Sequence, residues 1–213
     1  MLMATVDGWT MFATEAVCYL GERILKLRIV LVWLLVLSGV LLTAADSLSR
    51  LPFLGTITAL FVITFRLWDD LEDLDHDRGH HPDRCLSRAQ DLQPFRVALW
   101  LLAVCLAGLL FLLIDAQRSL AYLVLLVIFY VMYRVTRKRP ALRSLRVALV
   151  PAKYPAFVLL LAHAPGDHLV PLVALGVYLL PLLDEVRSTG PGVLLPAAAF
   201  LGLASLVWLF LVI

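Results

Sequence analysis

Long apolar stretches, separated by short polar segments, run through most of this chain. An α-helix needs roughly 20 apolar residues to cross the hydrocarbon core of a bilayer, and most of the stretches approach that length. We expect seven spans, over Ile29–Ala45, Phe53–Trp68, Phe95–Ile114, Leu120–Tyr133, Leu145–His163, Leu169–Leu183 and Val193–Ile213. The pattern therefore predicts an all-α fold, a polytopic membrane helical bundle.

The segment from residue 9 to residue 28 has a different pattern, because charged residues interrupt its apolar positions. The charged residues are Glu15, Glu22, Arg23, Lys26 and Arg28. This mixture favours an amphipathic helix that lies in the membrane interface before the first span. The other connections are too short to contain a soluble domain, so we expect residues 1–213 to form a single integral-membrane domain.

The composition supports the membrane class. Charged residues make up 16% of the chain and hydrophobic residues 62%, whereas roughly a quarter of a typical soluble domain is charged. The mean hydropathy is +0.93. The formal net charge is only +2, and we expect no nucleic-acid partner. Cys18, Cys85 and Cys105 are too few and too scattered to predict a disulfide framework or a zinc site.

The basic residues indicate an orientation. Connections 46–51, 115–119 and 164–168 contain only Arg50 and Arg118 as basic residues, whereas the alternate connections carry most of the Lys and Arg. By the positive-inside rule the N-terminus and the basic connections face the cytoplasm. We therefore expect a multi-pass protein of a membrane such as the bacterial inner membrane.

Acidic residues are concentrated at the cytoplasmic end of the second predicted span. Six of the sixteen acidic residues fall within the nine positions 69–77. Asp69, Asp73 and Asp77 recur at four-residue steps, so on a continuing helix each lies about 40° round from the last, with Arg66 one turn earlier. Neighbouring carboxylates repel each other unless a cation lies between them, and oxygen ligands favour Mg²⁺. The segment therefore predicts a magnesium site that can hold a pyrophosphate.

A solvated, mixed-charge loop that ends the span is the alternative interpretation of this segment. His76, His80 and His81 are further potential ligands, although loop histidines beside acids are more often bystanders that respond to pH.

The segment from Arg66 to Arg88 resembles the first signature of the UbiA-type intramembrane prenyltransferases, which has aspartates at four-residue steps followed by a basic turn. Cys85 stands where the family usually has proline. Tyr133 to Arg139 is similar to a second family element, Tyr-x-x-x-Lys, with Arg137 in place of the lysine. The likeness covers about the first two-thirds of the chain.

The resemblance implies a UbiA-like bundle that moves a prenyl group from a polyprenyl diphosphate to a hydrophobic acceptor, an aromatic or a lipid, in the membrane. It implies Mg²⁺ held by two Asp-rich motifs, with Asp69, Asp73 and Asp184 catalytic and metal-binding and Asp77 as a further ligand. The residues expected to bind the diphosphate are Arg66, Tyr133, Arg134, Arg137, Lys138 and Lys153.

The chain departs from the family pattern in two places. Asp184 fits the first position of the second Asp-x-x-x-Asp motif, but Ser188 occupies its second position. The family also has about nine spans, so the missing helices would leave one wall of the bundle open to lipid or to a homo- or hetero-oligomeric partner. A non-catalytic or partner-dependent subunit that binds lipid is therefore the alternative hypothesis.

Lys153 lies in the middle of a predicted span, where a charged residue is costly and usually functional. It could reach the diphosphate or pair with Asp184, or its side chain could extend to the cytoplasmic edge. The apolar stretches also contain prolines, which should kink or break helices and bend the fifth and sixth spans: Pro151, Pro155, Pro181 and Pro196. A transporter or channel is also compatible with such a lysine and with such breaks, but transporters usually contain internal repeats, and this sequence has no visible repeat.

Overall fold

The computed structural model describes residues 12–43, 49–89, 91–137, 142–162, 169–194, 196–198 and 201. These residues form helices joined by short turns, without a β-strand among them, so the all-α class is confirmed for the described part of the chain. The helices are α1 (Phe12–Ile24), α2 (Leu27–Thr43), α3 (Leu51–Glu72), α4 (Leu74–His80), α5 (Cys85–Arg88), α6 (Gln93–Leu113), α7 (Ala116–Arg137), α8 (Arg143–Leu149), α9 (Lys153–Leu161) and α10 (Leu169–Thr189).

Within the described part of the chain, four helical segments are long and apolar enough to cross a membrane. They are Leu51–Glu72, Gln93–Leu113, Ala116–Thr136 and Ser144–Leu161. They correspond to the second to fifth predicted spans. The apolar part of α10, Leu169–Asp184, is shorter, and most of the seventh predicted span lies outside the described residues. The architecture is that expected of a multi-pass membrane protein, while the number seven stays a prediction.

Helices α1 and α2 are separated by a 71° bend, and together they would make a fifth candidate span. The bend falls at Leu25 and Lys26, between the charged N-terminal segment and the first long apolar stretch. A helix in the membrane interface and a helix that crosses the bilayer differ in direction by an angle of this order. The bend therefore fits the predicted interfacial helix over residues 9–28, of which residues 9–11 lie outside the described part.

The chain divides into two compact units. The first comprises Met1–Leu34 and Thr56–Leu109, and the second comprises Leu35–Gly55 and Leu110–Ile213. Helices α1, α4 and α5 belong wholly to the first unit, and α7 to α10 belong wholly to the second. The predicted single domain over residues 1–213 stays a prediction.

Glycine at position 39 lets helices pack closely in the second unit. A Cβ atom at this position would lie 3.0 Å from Cγ2 of Val158 and 3.0 Å from Cγ2 of Val177. Both valines are buried. Small residues at such contacts are how helices approach each other in membranes, where tight packing replaces the hydrophobic effect as the source of association.

The break between α8 and α9 occurs where the prolines predict it. A 3₁₀ turn spans Val150–Ala152 and contains Pro151, which cannot donate an amide hydrogen bond. Pro155 is in the first turn of α9, where its missing N–H costs little. Pro181, by contrast, lies inside α10, which continues to Thr189. The predicted interruption is thus present in the fifth span, and the sixth remains one helix.

The end of α9 is capped by a side chain from the start of α7. The Arg118 guanidinium donates to the carbonyl oxygens of Leu160 at 3.0 Å and Ala162 at 2.7 Å, and pairs with Asp115 at 3.0 Å. Carbonyls in the last turn of a helix lack partners within the helix, and a positive charge there also opposes the helix dipole. Arg118 therefore connects two helices of the second unit.

We expect the Gly39→Leu substitution to destabilise the protein by about 1–3 kcal/mol, because the added side chain must displace buried valine methyl groups. Gly176→Leu is the matched control, since a Cβ at Gly176 in α10 meets nothing within 4 Å. Unfolding of both variants in detergent micelles, followed by circular dichroism, measures the difference. Equal stability of the two variants would contradict the close approach at Gly39.

Candidate functional site

The acidic segment crosses a break between two helices. Helix α3 ends at Glu72 and α4 begins at Leu74, with Asp73 between them at φ −91° and ψ 2°. The backbone hydrogen bonds nevertheless continue: the Asp73 amide donates to the Asp69 carbonyl at 2.9 Å, and the Asp77 amide to the Asp73 carbonyl at 2.9 Å. The three aspartates are therefore still separated by one hydrogen-bonded turn each, as their spacing predicts.

The environments of these three aspartates differ. Asp69 and Asp73 are partly exposed, whereas Asp77 is only 8% exposed. The Asp77 carboxylate accepts a hydrogen bond from the Arg84 guanidinium and lies 4.0 Å from that of Arg23. A cation at Asp77 would therefore compete with an arginine that is already in place, whereas Asp69 and Asp73 are the more accessible pair.

The most deeply buried carboxylate of the segment is Asp70, which is 4% exposed. Its Oδ2 accepts hydrogen bonds from the Tyr19 hydroxyl at 3.0 Å and from Arg23 Nε at 3.1 Å. Its Oδ1 accepts a second bond from Arg23 and pairs with Arg66 Nη2 at 3.0 Å. Arg23 therefore donates two hydrogen bonds to the Asp70 carboxylate, and such bidentate pairs are among the strongest between arginine and a carboxylate.

Helix α1 supplies two of these partners, Tyr19 and Arg23, at a widened turn or immediately before it. Its last five residues, Leu20–Ile24, are π-helical, and the Leu25 amide donates to the Leu20 carbonyl at 2.9 Å, five residues back. Such turns are frequent at functional sites because they change the direction in which side chains point. Arg23 lies in this turn, and Tyr19 immediately precedes it.

The groups around Asp70 keep the protonation states that the network needs. Burial raises the pKa of the Tyr19 phenol, and the neighbouring Asp70 carboxylate raises it further. Burial lowers the pKa of Arg23, but its hydrogen bond to Asp70 and the attraction of that carboxylate outweigh this and leave the pKa raised. Tyr19 therefore remains a donor and Arg23 remains charged; both residues lie outside the four long candidate spans.

The other predicted site residues lie in the second unit, apart from Arg66 in the first. Tyr133 is buried, and the Arg146 guanidinium lies 6.0 Å from its ring centroid. Arg134 is exposed and lies 5.3 Å from the ring centroid of Tyr130. The side chain of Arg137 and the whole of Lys138 lie outside the described part of the chain.

Lys153 and Asp184 also belong to the second unit. The Lys153 side chain is 1% exposed, and its Nζ lies 5.4 Å from the ring centroid of Tyr154. Burial of the whole residue is unlike a side chain that extends to the membrane edge. Asp184 is exposed near the end of α10, and the side chains of Glu185 and Ser188 lie outside the described residues.

The histidines of the acidic segment lie on the surface. His76 and His80 stack with ring centroids 4.1 Å apart, and His80 Nδ1 lies 3.0 Å from the His76 carbonyl oxygen. All three histidines, including His81, are exposed. This arrangement favours the interpretation that they are bystanders of the aspartates.

The cysteines differ from the sequence-based expectation. Cys18 and Cys85 are joined as a disulfide with Cα atoms 6.2 Å apart, although 67 residues separate them in the chain. Their spacing gives no sign of this, because the contact arises from the placement of α1 beside the turn before α5. Cys105 is a free, exposed thiol.

The residues that sequence reasoning missed are Asp70, Tyr19 and Arg23. Only the Arg66–Asp70 pair, at a spacing of four residues on one helix, had a recognisable signal. The contacts from α1 join residues 47 and 51 positions apart. Comparisons with protein-family models, with curated proteins and with solved structures found no match to this chain.

We expect Asp70→Asn to release α1 from the acidic segment, because it leaves two partly buried arginines, Arg23 and Arg66, without their shared anion. Breaking a buried ion pair typically costs about 3–5 kcal/mol, and the partial exposure of the arginines places this one at the lower end. Hydrogen exchange of residues 12–24 measures the release. Asp83→Asn, at an exposed turn position, is the control. Unchanged protection of α1 in Asp70→Asn would show that the network does not hold this helix.

Proposed function

We propose that this chain is a UbiA-type membrane prenyltransferase, which transfers a prenyl group from a polyprenyl diphosphate to a hydrophobic acceptor with the help of Mg²⁺. The observation that carries the proposal is the difference in environment between the aspartates of the acidic segment. Asp70 is held by Tyr19, Arg23 and Arg66, whereas Asp69 and Asp73 are partly exposed one turn apart at the end of a candidate span.

The donor set fits the proposed metal. Mg²⁺ is usually held by one or two carboxylates and completes its shell with water and substrate phosphate. Asp69 and Asp73 supply two carboxylates, and their accessibility leaves room for the other ligands. Asp77 fits less well as a metal ligand because its carboxylate already forms an ion pair with Arg84. When bound, Mg²⁺ would stabilise the negative charge that develops on the leaving diphosphate.

Arg66 is the basic residue of the first unit that we assign to the diphosphate. Its Nη2 pairs with Asp70, which positions the guanidinium, while its buried Nε has no hydrogen-bond partner among the described residues. A donor that is already desolvated and oriented loses little freedom when it binds an anion. Arg66 would thus donate to a diphosphate oxygen without leaving Asp70.

The proposed set also contains residues of the second unit, which we include on sequence grounds. Lys153, Arg134 and Tyr133 are assigned to the diphosphate because ammonium, guanidinium and hydroxyl groups donate hydrogen bonds to phosphate oxygens. Arg137 and Lys138 remain in the proposed set on sequence grounds. Asp184 would be the one acidic ligand of the second motif, because Ser188 replaces its partner.

The proposal includes the membrane arrangement. It assumes seven spans, with the N-terminus and the acidic segment on the cytoplasmic side of a membrane such as the bacterial inner membrane. The positive-inside distribution supports this orientation. The substrate would enter from the bilayer, since a polyprenyl chain partitions into lipid.

We expect Asp69→Asn and Asp73→Asn each to lower Mg²⁺-dependent prenyl transfer by about 100-fold or more, the scale typical of losing a group that stabilises transition-state charge. Purified protein would be incubated with radiolabelled prenyl diphosphates of several chain lengths, a panel of hydrophobic acceptors and Mg²⁺. Asp75→Asn is the matched control, because Asp75 is an exposed carboxylate of the same segment outside the four-residue series.

Two results would contradict the proposal. Full activity in Asp69→Asn and Asp73→Asn would show that these residues are not the magnesium ligands. Absence of transfer in the wild-type protein, under conditions in which a known prenyltransferase is active, would contradict the proposed reaction.

A partner-dependent or non-catalytic relative is the second candidate. The Asp77–Arg84 pair favours it, because one aspartate of the series is neutralised by the protein itself, as does Ser188 in the second motif. In this case the purified chain would bind a prenyl diphosphate without turnover, or would turn it over only with a partner subunit. Robust activity of the isolated monomer would exclude this candidate.

A further inference from the structure

A second cluster of ligand-type side chains lies apart from the proposed magnesium ligands. Cys18, Glu22 and Cys85 each place one ligand atom within 4.8 Å of the others. Cys85 is buried, and the other two are partly exposed. Nothing in the proposed transferase reaction uses these three residues.

The fold assembles the cluster from α1 and from the start of α5. Cys18 and Glu22 are four residues apart at the end of α1, and Cys85 is the first residue of α5. Glu22 Oε2 accepts a hydrogen bond from the Cys85 backbone amide at 2.8 Å. This bond orients the Glu22 carboxylate toward Cys85.

We propose that the reduced pair of Cys18 and Cys85 binds one Zn²⁺ ion together with Glu22. Zn²⁺ accepts both Cys sulfur and Glu oxygen in a tetrahedral shell, so two thiolates and a carboxylate form a suitable set of donors. Thiolate ligands also discriminate against Mg²⁺, which prefers oxygen alone. The fourth position would hold water, as it does in open zinc sites with three protein ligands.

The disulfide and the metal site are alternative states of the same two sulfur atoms. Disulfides are rare in reducing compartments, where thiols persist. In the cytoplasmic orientation proposed above, Cys18 and Cys85 would therefore be reduced thiols at rest. This redox state rests on the proposed function. Zinc binding by the reduced protein does not depend on transferase activity, so the two proposals can fail separately.

A zinc ion here would fasten α1 to the segment that follows the acidic residues. Cys18 and Glu22 flank Tyr19 on α1, and Cys85 follows Arg84, the partner of Asp77. The ion would therefore add a second connection between α1 and this segment, beside the contacts that Tyr19 and Arg23 make with Asp70.

The test uses the full chain in detergent micelles, freed of metal with a chelator and kept reduced with a phosphine. Co²⁺ is added as a spectroscopic probe. We expect thiolate-to-cobalt charge-transfer absorption and the visible bands of tetrahedral Co²⁺, saturating at one equivalent per chain. Zn²⁺ should displace the cobalt, because it binds such sites more tightly, and excess Mg²⁺ should not.

Substitutions identify the ligands. Cys18→Ser and Cys85→Ser should abolish the thiolate-to-cobalt signal or weaken binding by more than about 100-fold, which exceeds the usual cost of losing an outer-shell partner. Glu22→Gln should weaken binding by about tenfold or more. Cys105→Ser is the matched control and should bind like wild type, because Cys105 is free and exposed elsewhere in the chain.

Oxidation provides a test that needs no substitution. Diamide takes two electrons and two protons from the thiols of Cys18 and Cys85 to form the disulfide and is itself reduced to the hydrazine. The oxidised wild-type protein should bind no Co²⁺ and should recover binding when the phosphine is added.

The absence of a thiolate-to-cobalt signal in the reduced wild-type protein would overturn the proposal. An unchanged signal in Cys85→Ser or after oxidation would also overturn it. If a cysteine variant fails to fold, as judged by gel filtration and circular dichroism, Glu22→Gln and the oxidation experiment still decide the outcome.

Discussion

The buried carboxylate of Asp70 is the constraint on which the first unit depends. A carboxylate removed from water is tolerated only if its oxygens receive strong hydrogen bonds and its charge is balanced. Tyr19 and Arg23 come from α1, and Arg66 comes from α3, the helix that contains Asp70. The hydrogen bonds to this one carboxylate therefore hold the charged helix α1 against the end of a candidate span. The π-helical turn at Leu20–Ile24 belongs to this arrangement, since Arg23 lies within it.

Because of this constraint, the acidic residues at positions 69–77 have different environments and different roles. Asp70 and Asp77 are neutralised by arginines, so they contribute attraction instead of repulsion to the folded segment. Asp69 and Asp73 are partly exposed and lie one hydrogen-bonded turn apart. The same contact of α1 that neutralises Asp70 also brings Cys18 and Glu22 to Cys85. The proposed magnesium ligands and the proposed zinc site thus share a structural origin in the placement of α1.

Periodic and local features of the sequence were enough to predict much of the fold. The apolar stretches predicted α3, α6 and α7 with boundaries within about four residues, because the length of a span is imposed by the bilayer. Pro151 predicted the interruption before α9 for the equally local reason that it lacks an amide donor. The four-residue steps of Asp69, Asp73 and Asp77 correctly predicted successive turns, although Asp73 lies at a helix break.

The sequence alone thus determined the helical class, the long apolar segments expected of a multi-pass membrane protein, and the concentration of acidic residues at one helix end. Those properties depend on neighbours within a few turns. Only the tertiary structure decided that Asp70 would be the buried aspartate and that Cys18 would meet Cys85. These contacts join residues 47 to 67 positions apart, and no periodicity along the chain encodes which distant donor reaches a buried acceptor.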